Sequence, residues 1–221
     1  MERALVVGAS GGIGAAVVAE LAKRGVAVTG LSRSGDGLDV TDEASVAAHL
    51  GDLDGPFDLI FVATGALVID GAEPEKAVKQ VTAEALANQY ILNAIGPMLV
   101  LKHALPLIPR DRRAVFAALS ARVGSIGDNG LGGWHSYRAA KAALNQLIHG
   151  AAIELKRSHK QAIAVCLHPG TVATNFTAKY AAAHKTVPPA DAAAHLVDVV
   201  AGLTPAQSGG FYDYAGREIP W

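Results

Sequence analysis

The sequence has almost no cysteine. Cys166 is the only one among 221 residues, so an internal disulfide and a thiolate cluster for zinc or iron are both excluded. Cys166 lies in an apolar segment, Ile163 to Leu167, that reads as a strand. A buried, inert thiol is therefore expected there rather than a nucleophile.

An excess of charge of either sign is also lacking. Nineteen lysines and arginines face 20 aspartates and glutamates, and the net charge is −1. The basic residues are scattered, which disfavours nucleic acid or an acidic membrane surface as a partner. The eight histidines are dispersed too, with no metal-binding spacing beside a carboxylate, so no metal site is expected.

Long uncharged runs are missing as well. No segment approaches the eighteen or so uncharged residues of a membrane span, and no basic stretch leads into an apolar leader before the first strand. The expectation is a soluble, cytoplasmic protein.

What the sequence does contain is an alternation of short apolar runs with longer helical segments, over a length that favours a single domain, residues 1–221. The pattern predicts an α/β fold with a doubly wound parallel sheet and helices on both faces. Seven strands are expected at Ala4–Val7, Val26–Leu31, Leu38–Val40, Leu59–Val62, Val115–Leu119, Ile163–Leu167 and Gly210–Tyr212. Helices are expected at Gly12–Arg24, Asp42–Leu50, Ala83–Leu107, Trp134–Arg157 and Ala190–Gly202.

A glycine-rich loop joins the first strand to the first helix, with the sequence Gly8-Ala9-Ser10-Gly11-Gly12-Ile13-Gly14. Backbone amides at a helix start can bind a phosphate where side chains are small. A flexible turn is the alternative, but the flanking strand and helix favour a site for a dinucleotide pyrophosphate.

The second strand ends in Ser32-Arg33-Ser34, without the carboxylate that binds the ribose hydroxyls of NAD. An arginine at this place pairs with a 2′-phosphate, which favours NADP(H) over NAD(H). A solvated surface arginine is the alternative.

Tyr137 and Lys141 are four residues apart and share one face of a predicted helix. A nearby ammonium stabilises a phenolate and is expected to lower the pKa of Tyr137, which would make the phenol a usable acid or base. The pattern is weak alone and gains weight from the glycine loop.

Together these motifs resemble the short-chain dehydrogenase/reductase family over nearly the whole chain, in a branch similar to C-factor and carbonyl reductases; Ser125-Ile126-Gly127-Asp128-Asn129 carries the likeness to the branch. The resemblance implies a Rossmann-like fold, Tyr137 and Lys141 as the catalytic pair, and Asn93 as support for a proton path to the lysine. It also implies cofactor contacts from Gly8, Ser10, Gly12, Ile13, Gly14, Arg33, Asp39, Val40, Ala63, Thr64, Gly65, Tyr137, Lys141, Pro169, Gly170, Val172 and Thr174, with Lys141 at the nicotinamide ribose.

Two positions depart from the family. Val62-Ala63-Thr64-Gly65 replaces the usual Asn-Asn-Ala-Gly, and Ala121 stands where the catalytic serine is expected. Ser120 or Ser125 could supply the missing donor, and Ser120 is favoured.

The predicted function is reversible NADP(H)-dependent interconversion of a carbonyl and an alcohol, with Tyr137 as acid or base. The alternative is a dinucleotide-binding sensor with little or no catalysis, because of Ala121. The substrate pocket is expected to involve Asn129–His135 and Asn175–Val187, and the latter segment is expected to form a lid over the nicotinamide. The two longest helices are expected to pair in a homodimer or homotetramer; burial of their apolar faces against their own sheet is the alternative.

Overall fold

The computed structural model describes residues 1–174 and 186–221. In this part of the chain six parallel strands form one sheet, in the order β2-β1-β3-β4-β5-β6. The strands are β1 (Arg3–Val7), β2 (Ala27–Leu31), β3 (Leu59–Val62), β4 (Ala114–Leu119), β5 (Ala162–His168) and β6 (Phe211–Asp213). The order reverses direction between β1 and β3, so the loops that follow these two strands diverge and leave a crevice at the carboxyl edge of the sheet.

Helices cover both faces of the sheet, as the sequence pattern predicts. They are α1 (Gly12–Lys23), the short α2 (Arg33–Asp36), α3 (Glu43–Gly51), α4 (Ala83–Tyr90), α5 (Gly96–Ala104), α6 (His135–Leu155) and α7 (Pro189–Gly202). Short 3₁₀ turns occur at Val78–Gln80, Leu105–Leu107, Arg122–Gly124 and Pro205–Gln207. The predicted start at Asp42 is confirmed, since its side chain accepts a hydrogen bond from Ala44 N at 3.0 Å.

Two apolar cores lie on opposite faces of the sheet. Side chains alternate along each strand, so on β4 Phe116 points to one core and Val115 to the other. Helices α3, α5 and α6 cover the first core, and α1 and α7 cover the second. Cys166 lies fully buried in the first core, and burial raises the pKa of its thiol to about 12 against the opposing effect of Lys141. The expected inert thiol fits this environment.

The strand predicted at Leu38–Val40 is wrong. Leu38 and Val40 are buried, which explains the alternating apolar pattern. The backbone N–H of Leu38, however, donates to Ser32 O at 3.2 Å, and that of Asp39 donates to Ser45 Oγ at 3.0 Å. These bonds belong to a turn and a side chain, so the segment packs on the core without joining β2.

The helix predicted at Ala83–Leu107 is continuous but irregular, because a π-helical turn at Ile91–Ile95 separates α4 from α5. By length and composition this helix could span a membrane. Val100, Leu101 and Ala104 are nevertheless buried in the first core, as in a core helix of a globular protein.

Candidate active site

A cavity of about 550 Å³ opens at the carboxyl edge of the sheet. It lies where the loops after β1, β3, β4 and β5 meet the start of α6. Its walls bring together residues that are far apart in the sequence: Ser10, Gly11, Gly12, Ile13, Ala63, Thr64, Gly65, Leu119, Ser120, Ala121, Tyr137, Lys141, His168, Pro169, Gly170, Val172, Ala173, Thr174 and Pro189. Most of the residues predicted from the sequence therefore share one space.

The glycine loop is packed so tightly that it has no room for a side chain at Gly8 or Gly14. A Cβ on Gly14 would lie 2.0 Å from Gly8 O, and one on Gly8, where φ is +90°, would lie 2.9 Å from the carbonyl carbon of Ala63. Gly8 and Gly14 thus shape the loop from behind, while Ser10, Gly12 and Ile13 line the cavity.

The N-terminus of α1 faces this cavity without a side-chain cap. Gly11 is the N-cap residue, and the first turn contains no acidic side chain. The positive end of the helix dipole and its backbone N–H groups suit an anion such as a diphosphate. Across the cavity Thr64 Oγ1 is buried without a hydrogen-bond partner among the described residues. A polar ligand would satisfy it, so the residues present fit a dinucleotide.

A second part of the predicted cofactor site lies beyond the end of β2. Ser34 Oγ donates to Ser10 Oγ at 2.9 Å and ties α2 to the glycine loop. Asp39 lies close enough to Arg33 for their charges to interact; hydrogen bonds from Thr41, and to a smaller extent the Arg33 charge, hold the pKa of Asp39 below its usual value against the effect of burial. A cation and a carboxylate therefore lie together beyond the end of β2, in a region that we call the Arg33 corner (Arg33, Asp39 and Val40).

Val40, the last predicted residue of that corner, is buried against the long helix. A Cβ on Gly96 would lie 3.0 Å from Val40 Cγ2.

Tyr137 and Lys141 lie in the first two turns of α6 and are both buried, with 5 % and 3 % of their surface exposed. Lys141 Nζ is 5.8 Å from the centre of the Tyr137 ring and donates a hydrogen bond to Leu119 O at 2.9 Å. The Trp134 and Tyr137 rings make a T-shaped contact, with 6.5 Å between their centroids. Trp134 therefore lies beside the tyrosine, while the pocket role of Asn129–His135 stays a prediction.

The electrostatics of this pair differ from the expectation. Burial raises the pKa of Tyr137 and lowers that of Lys141 to about 8, because each charged form loses its hydration. At neutral pH the phenol is thus protonated while the lysine is still largely an ammonium. The effect of burial on the Tyr137 pKa therefore outweighs the lowering by Lys141 that the sequence predicts.

Glu75 holds the start of α6 in place. The N-cap residue Trp134 has a left-handed backbone, with φ of +51°, and provides no side-chain cap. Instead Glu75 Oε2 accepts hydrogen bonds from Ser136 N at 3.2 Å and Ser136 Oγ at 3.0 Å. Burial alone would raise the pKa of Glu75, but hydrogen bonds from its own backbone N–H and from Ser136 hold it below its usual value. A charged carboxylate therefore caps the helix that carries Tyr137.

Asn93 lies within the π-helical turn and is fully buried. Its Nδ2 donates to Ala66 O at 2.9 Å and to Gln89 Oε1 at 2.7 Å. A Cβ on Gly65 would lie 2.6 Å from Asn93 Oδ1 and 3.4 Å from Lys141 Nζ. The asparagine amide and the lysine ammonium therefore both lie close to Gly65. The proton path from Asn93 to Lys141 stays a prediction.

At the end of β4 Ala121 lines the cavity, and neither neighbouring serine presents an unused hydroxyl hydrogen. Ser120 Oγ donates to Asn145 Oδ1 at 2.7 Å, and Ser125 Oγ donates to Pro220 O. A hydroxyl has a single hydrogen to donate. The catalytic role expected of Ser120 stays a prediction, and it would require Ser120 to leave Asn145.

The segment after β5 lines the same cavity as the tyrosine. Gly170 has φ of +79°, and Thr174 lies against the glycine loop, where a Cβ on Gly12 would come within 2.7 Å of Thr174 Cγ2. Val172 forms an isolated parallel bridge with Val187. Most of the predicted lid, residues 175–185, lies outside the described residues.

Two residues near the site were not assigned a role from the sequence. Glu75 is 61 positions before Ser136, and no local pattern links them. His168 precedes the Pro169-Gly170 turn and lines the cavity; burial lowers the pKa of its ring to about 4. A histidine at the carboxyl end of a parallel strand is the signal that could have drawn attention to it.

The sequence model of the short chain dehydrogenase family matches residues 37–185, more than half of the chain. The protein belongs to the short-chain dehydrogenase family. It is accordingly an NAD(P)-dependent oxidoreductase, and the resemblance inferred from Tyr137, Lys141 and the glycine loop is confirmed at the level of the family.

Individual relatives agree with this assignment. The chain is 32 % identical to 1-hydroxy-2-glutathionyl-2-methyl-3-butene dehydrogenase from Rhodococcus sp. strain AD45, with both chains covered in full. It is 35 % identical to C-signal from Myxococcus xanthus over 62 % of this chain and 78 % of that protein. A short-chain dehydrogenase/reductase from Burkholderia multivorans, whose crystal structure contains NADP, superposes with a TM-score of 0.82 and 27 % identity over 100 % of this chain and 99 % of that one.

Proposed function

We propose that this protein reversibly reduces a ketone or aldehyde to the alcohol, with NADPH preferred over NADH. One observation carries the proposal: a buried tyrosine and a buried lysine, with Nζ 5.8 Å from the ring centre, line the same cavity as the uncapped N-terminus of α1. The proposed dinucleotide site and the proposed proton donor would therefore border one space.

A nicotinamide dinucleotide supplies the hydride when it is bound. In our proposal the amides of the glycine loop bind its pyrophosphate, and Arg33 pairs with the 2′-phosphate. Asp39 and Val40 contact the adenine. Thr64 and Gly65, together with the wall formed by Pro169, Gly170, Val172 and Thr174, hold the nicotinamide end.

Tyr137 is the proposed proton donor. Its raised pKa keeps the phenol protonated, which is the form needed for reduction, and the proton passes to the substrate oxygen as negative charge develops there. The ammonium of Lys141 stabilises the phenolate that remains. Asn93 supports return of a proton along the path that ends at Lys141.

The second candidate function is a dinucleotide-binding sensor or signalling protein with little catalysis. Two observations favour it: Ala121 stands at the expected serine position, and the chain is similar to a protein named C-signal. Such a protein would keep the glycine loop and the Arg33 corner, since both serve binding alone.

The two functions are separated by measuring binding and turnover on the same preparation. NADPH and NADH are titrated by fluorescence, and oxidation of NADPH is then followed with a panel of aldehydes and ketones. We expect tighter binding of NADPH and turnover on at least one carbonyl. Tight binding of NADPH without turnover on any member of the panel would support the sensor instead.

The cytoplasmic location and the homodimer or homotetramer remain predictions. An apolar groove between α4 and α6, lined by Leu86, Ala87, Tyr90, Ser136, Ala139 and Ala140, supports the second of them, because a second copy of the chain would cover it. Analytical ultracentrifugation tests the oligomeric state.

A further inference from the structure

His168 lines the cavity, yet no step of the proposed mechanism uses it. It is the last residue of β5, and the preceding residue, Leu167, pairs with Leu119 at the end of β4. His168 therefore lies beside the segment that follows β4, and both His168 and Ala121 line the same cavity as Tyr137.

One nitrogen of the ring is not engaged by the described part of the chain. His168 Nδ1 is buried and has no hydrogen-bond partner within residues 1–174 and 186–221. Buried polar atoms are nearly always bonded, so one without a partner at a cavity calls for a ligand or a water molecule. His149 shows the contrast, since its Nδ1 lies 2.8 Å from Gly209 O.

The surroundings keep the His168 ring neutral. Burial lowers its pKa to about 4, the Arg122 guanidinium acts in the same direction, and the Asp213 carboxylate opposes both. Arg122 is itself paired with Asp128 at 2.9 Å. A neutral imidazole has one N–H donor and one acceptor nitrogen, so it can polarise a carbonyl oxygen while remaining uncharged.

The site lacks the donor that its family resemblance implies. Ala121 has no polar group, and the hydroxyls of Ser120 and Ser125 donate to Asn145 and to Pro220. A carbonyl oxygen that gains negative charge is stabilised by preorganised donors, and one of them is commonly worth a factor of about 10²–10³ in turnover.

We propose that His168 donates a hydrogen bond from its ring to the oxygen of the substrate carbonyl, in place of the serine that Ala121 replaces. This inference rests on the proposed function, because it assumes that a carbonyl compound binds in this cavity. Tyr137 then transfers its proton to an oxygen that already accepts one hydrogen bond.

The test compares variants of the full-length protein with 4-nitrobenzaldehyde as the carbonyl probe. His168→Leu removes the ring, and His168→Gln keeps an N–H donor. His159→Leu is the matched control, since His159 is also buried, with Nε2 lacking a partner among the described residues, but it does not line the cavity. The measurements are kcat, KM, the Kd of NADPH and the melting temperature.

We expect His168→Leu to lower kcat about 100-fold or more with the Kd of NADPH within about threefold. His168→Gln is expected to recover at least a tenth of the wild-type kcat, and His159→Leu to stay within about twofold of it, because Gln restores a donor and His159 is remote. Ala121→Ser introduced into His168→Leu is expected to recover activity, since it restores the usual donor. Should His168→Leu fail to fold, His168→Phe, which keeps a planar ring without a donor, takes its place.

Wild-type kcat in His168→Leu, or an equal loss in His168→Gln, would overturn the inference while leaving the proposed function intact. An equal effect of Ala121→Ser in the wild type and in His168→Leu would overturn it as well. Failure of the proposed function looks different: the wild-type protein would then bind NADPH and reduce no carbonyl at all.

Discussion

Lys141 Nζ donates a hydrogen bond of 2.9 Å to the carbonyl oxygen of Leu119. Leu119 is the last residue of β4, so this bond ties the second turn of α6 to the carboxyl edge of the sheet. The lysine is thereby held beside Tyr137, although burial lowers its pKa to about 8. Its ammonium form is needed in the proposed mechanism and predominates only below that pH.

The first prediction concerns the pH dependence of reduction. Above a pH of about 8 the ligand-free enzyme loses the proton of Lys141, so kcat/KM is expected to fall as the pH rises through that value. Lys141→Arg is expected to be slower, but to show no fall up to about pH 10, because a guanidinium keeps its charge. A break at the same pH in both proteins would contradict the role given to Lys141.

Gly14→Ala is expected to weaken NADPH binding at least about tenfold, because the added Cβ would lie 2.0 Å from Gly8 O, a backbone atom that moves only if the loop opens. Gly150→Ala is the control, since a Cβ on Gly150, inside α6, meets nothing within 4 Å. It is expected to stabilise the protein by about 0.5–1 kcal/mol without changing the Kd. Fluorescence titration and thermal unfolding measure both effects, and equal Kd values for the two variants would refute the prediction.

Arg33→Ala tests the preference for the phosphorylated cofactor. Loss of one charge-assisted hydrogen bond is expected to raise the Kd of NADPH about 10- to 100-fold and to leave that of NADH within about threefold. Arg24→Ala serves as the control, because this arginine bonds to Glu20 and Asp198 on α1 and α7. A parallel loss of affinity for both cofactors in Arg33→Ala would argue against contact with a 2′-phosphate.

Glu75→Ala removes the acceptor of two hydrogen bonds from Ser136 and is expected to lower the free energy of unfolding by about 1–3 kcal/mol. The first turn of α6 carries Tyr137, so kcat is expected to fall as well. Glu75→Gln keeps an acceptor oxygen and is expected to lose less of both. Denaturant unfolding measures the free energy of unfolding of the wild-type protein, Glu75→Gln and Glu75→Ala, which is expected to decrease in that order. An unchanged value in Glu75→Ala would show that the cap is dispensable.

The sequence was a good guide wherever a local pattern decides the structure. Strands β1, β3, β4 and β5 follow from uninterrupted apolar runs, because a strand buried on both faces needs apolar side chains at every position. The glycine loop and the Tyr137–Lys141 spacing likewise identified the cavity, since each depends on residues a few positions apart.

Longer-range relationships were beyond such patterns. Leu38–Val40 has the alternation of a strand, but its hydrogen bonds go to a turn and a side chain, which only the packed chain reveals. The π-helical turn around Asn93 could not be distinguished from an ordinary helix by the spacing of its apolar residues. The Ser120–Asn145 bond joins β4 to α6 across 25 positions, so the sequence could not show that this hydroxyl is already used.

The role of Tyr137 as proton donor is tested most directly by single-turnover oxidation of bound NADPH in Tyr137→Phe. The phenyl ring retains the shape of the site but has no hydroxyl proton to donate. We expect the rate to fall by about 10²–10⁴ while the Kd of NADPH stays within about threefold. A rate equal to that of the wild-type protein would contradict it.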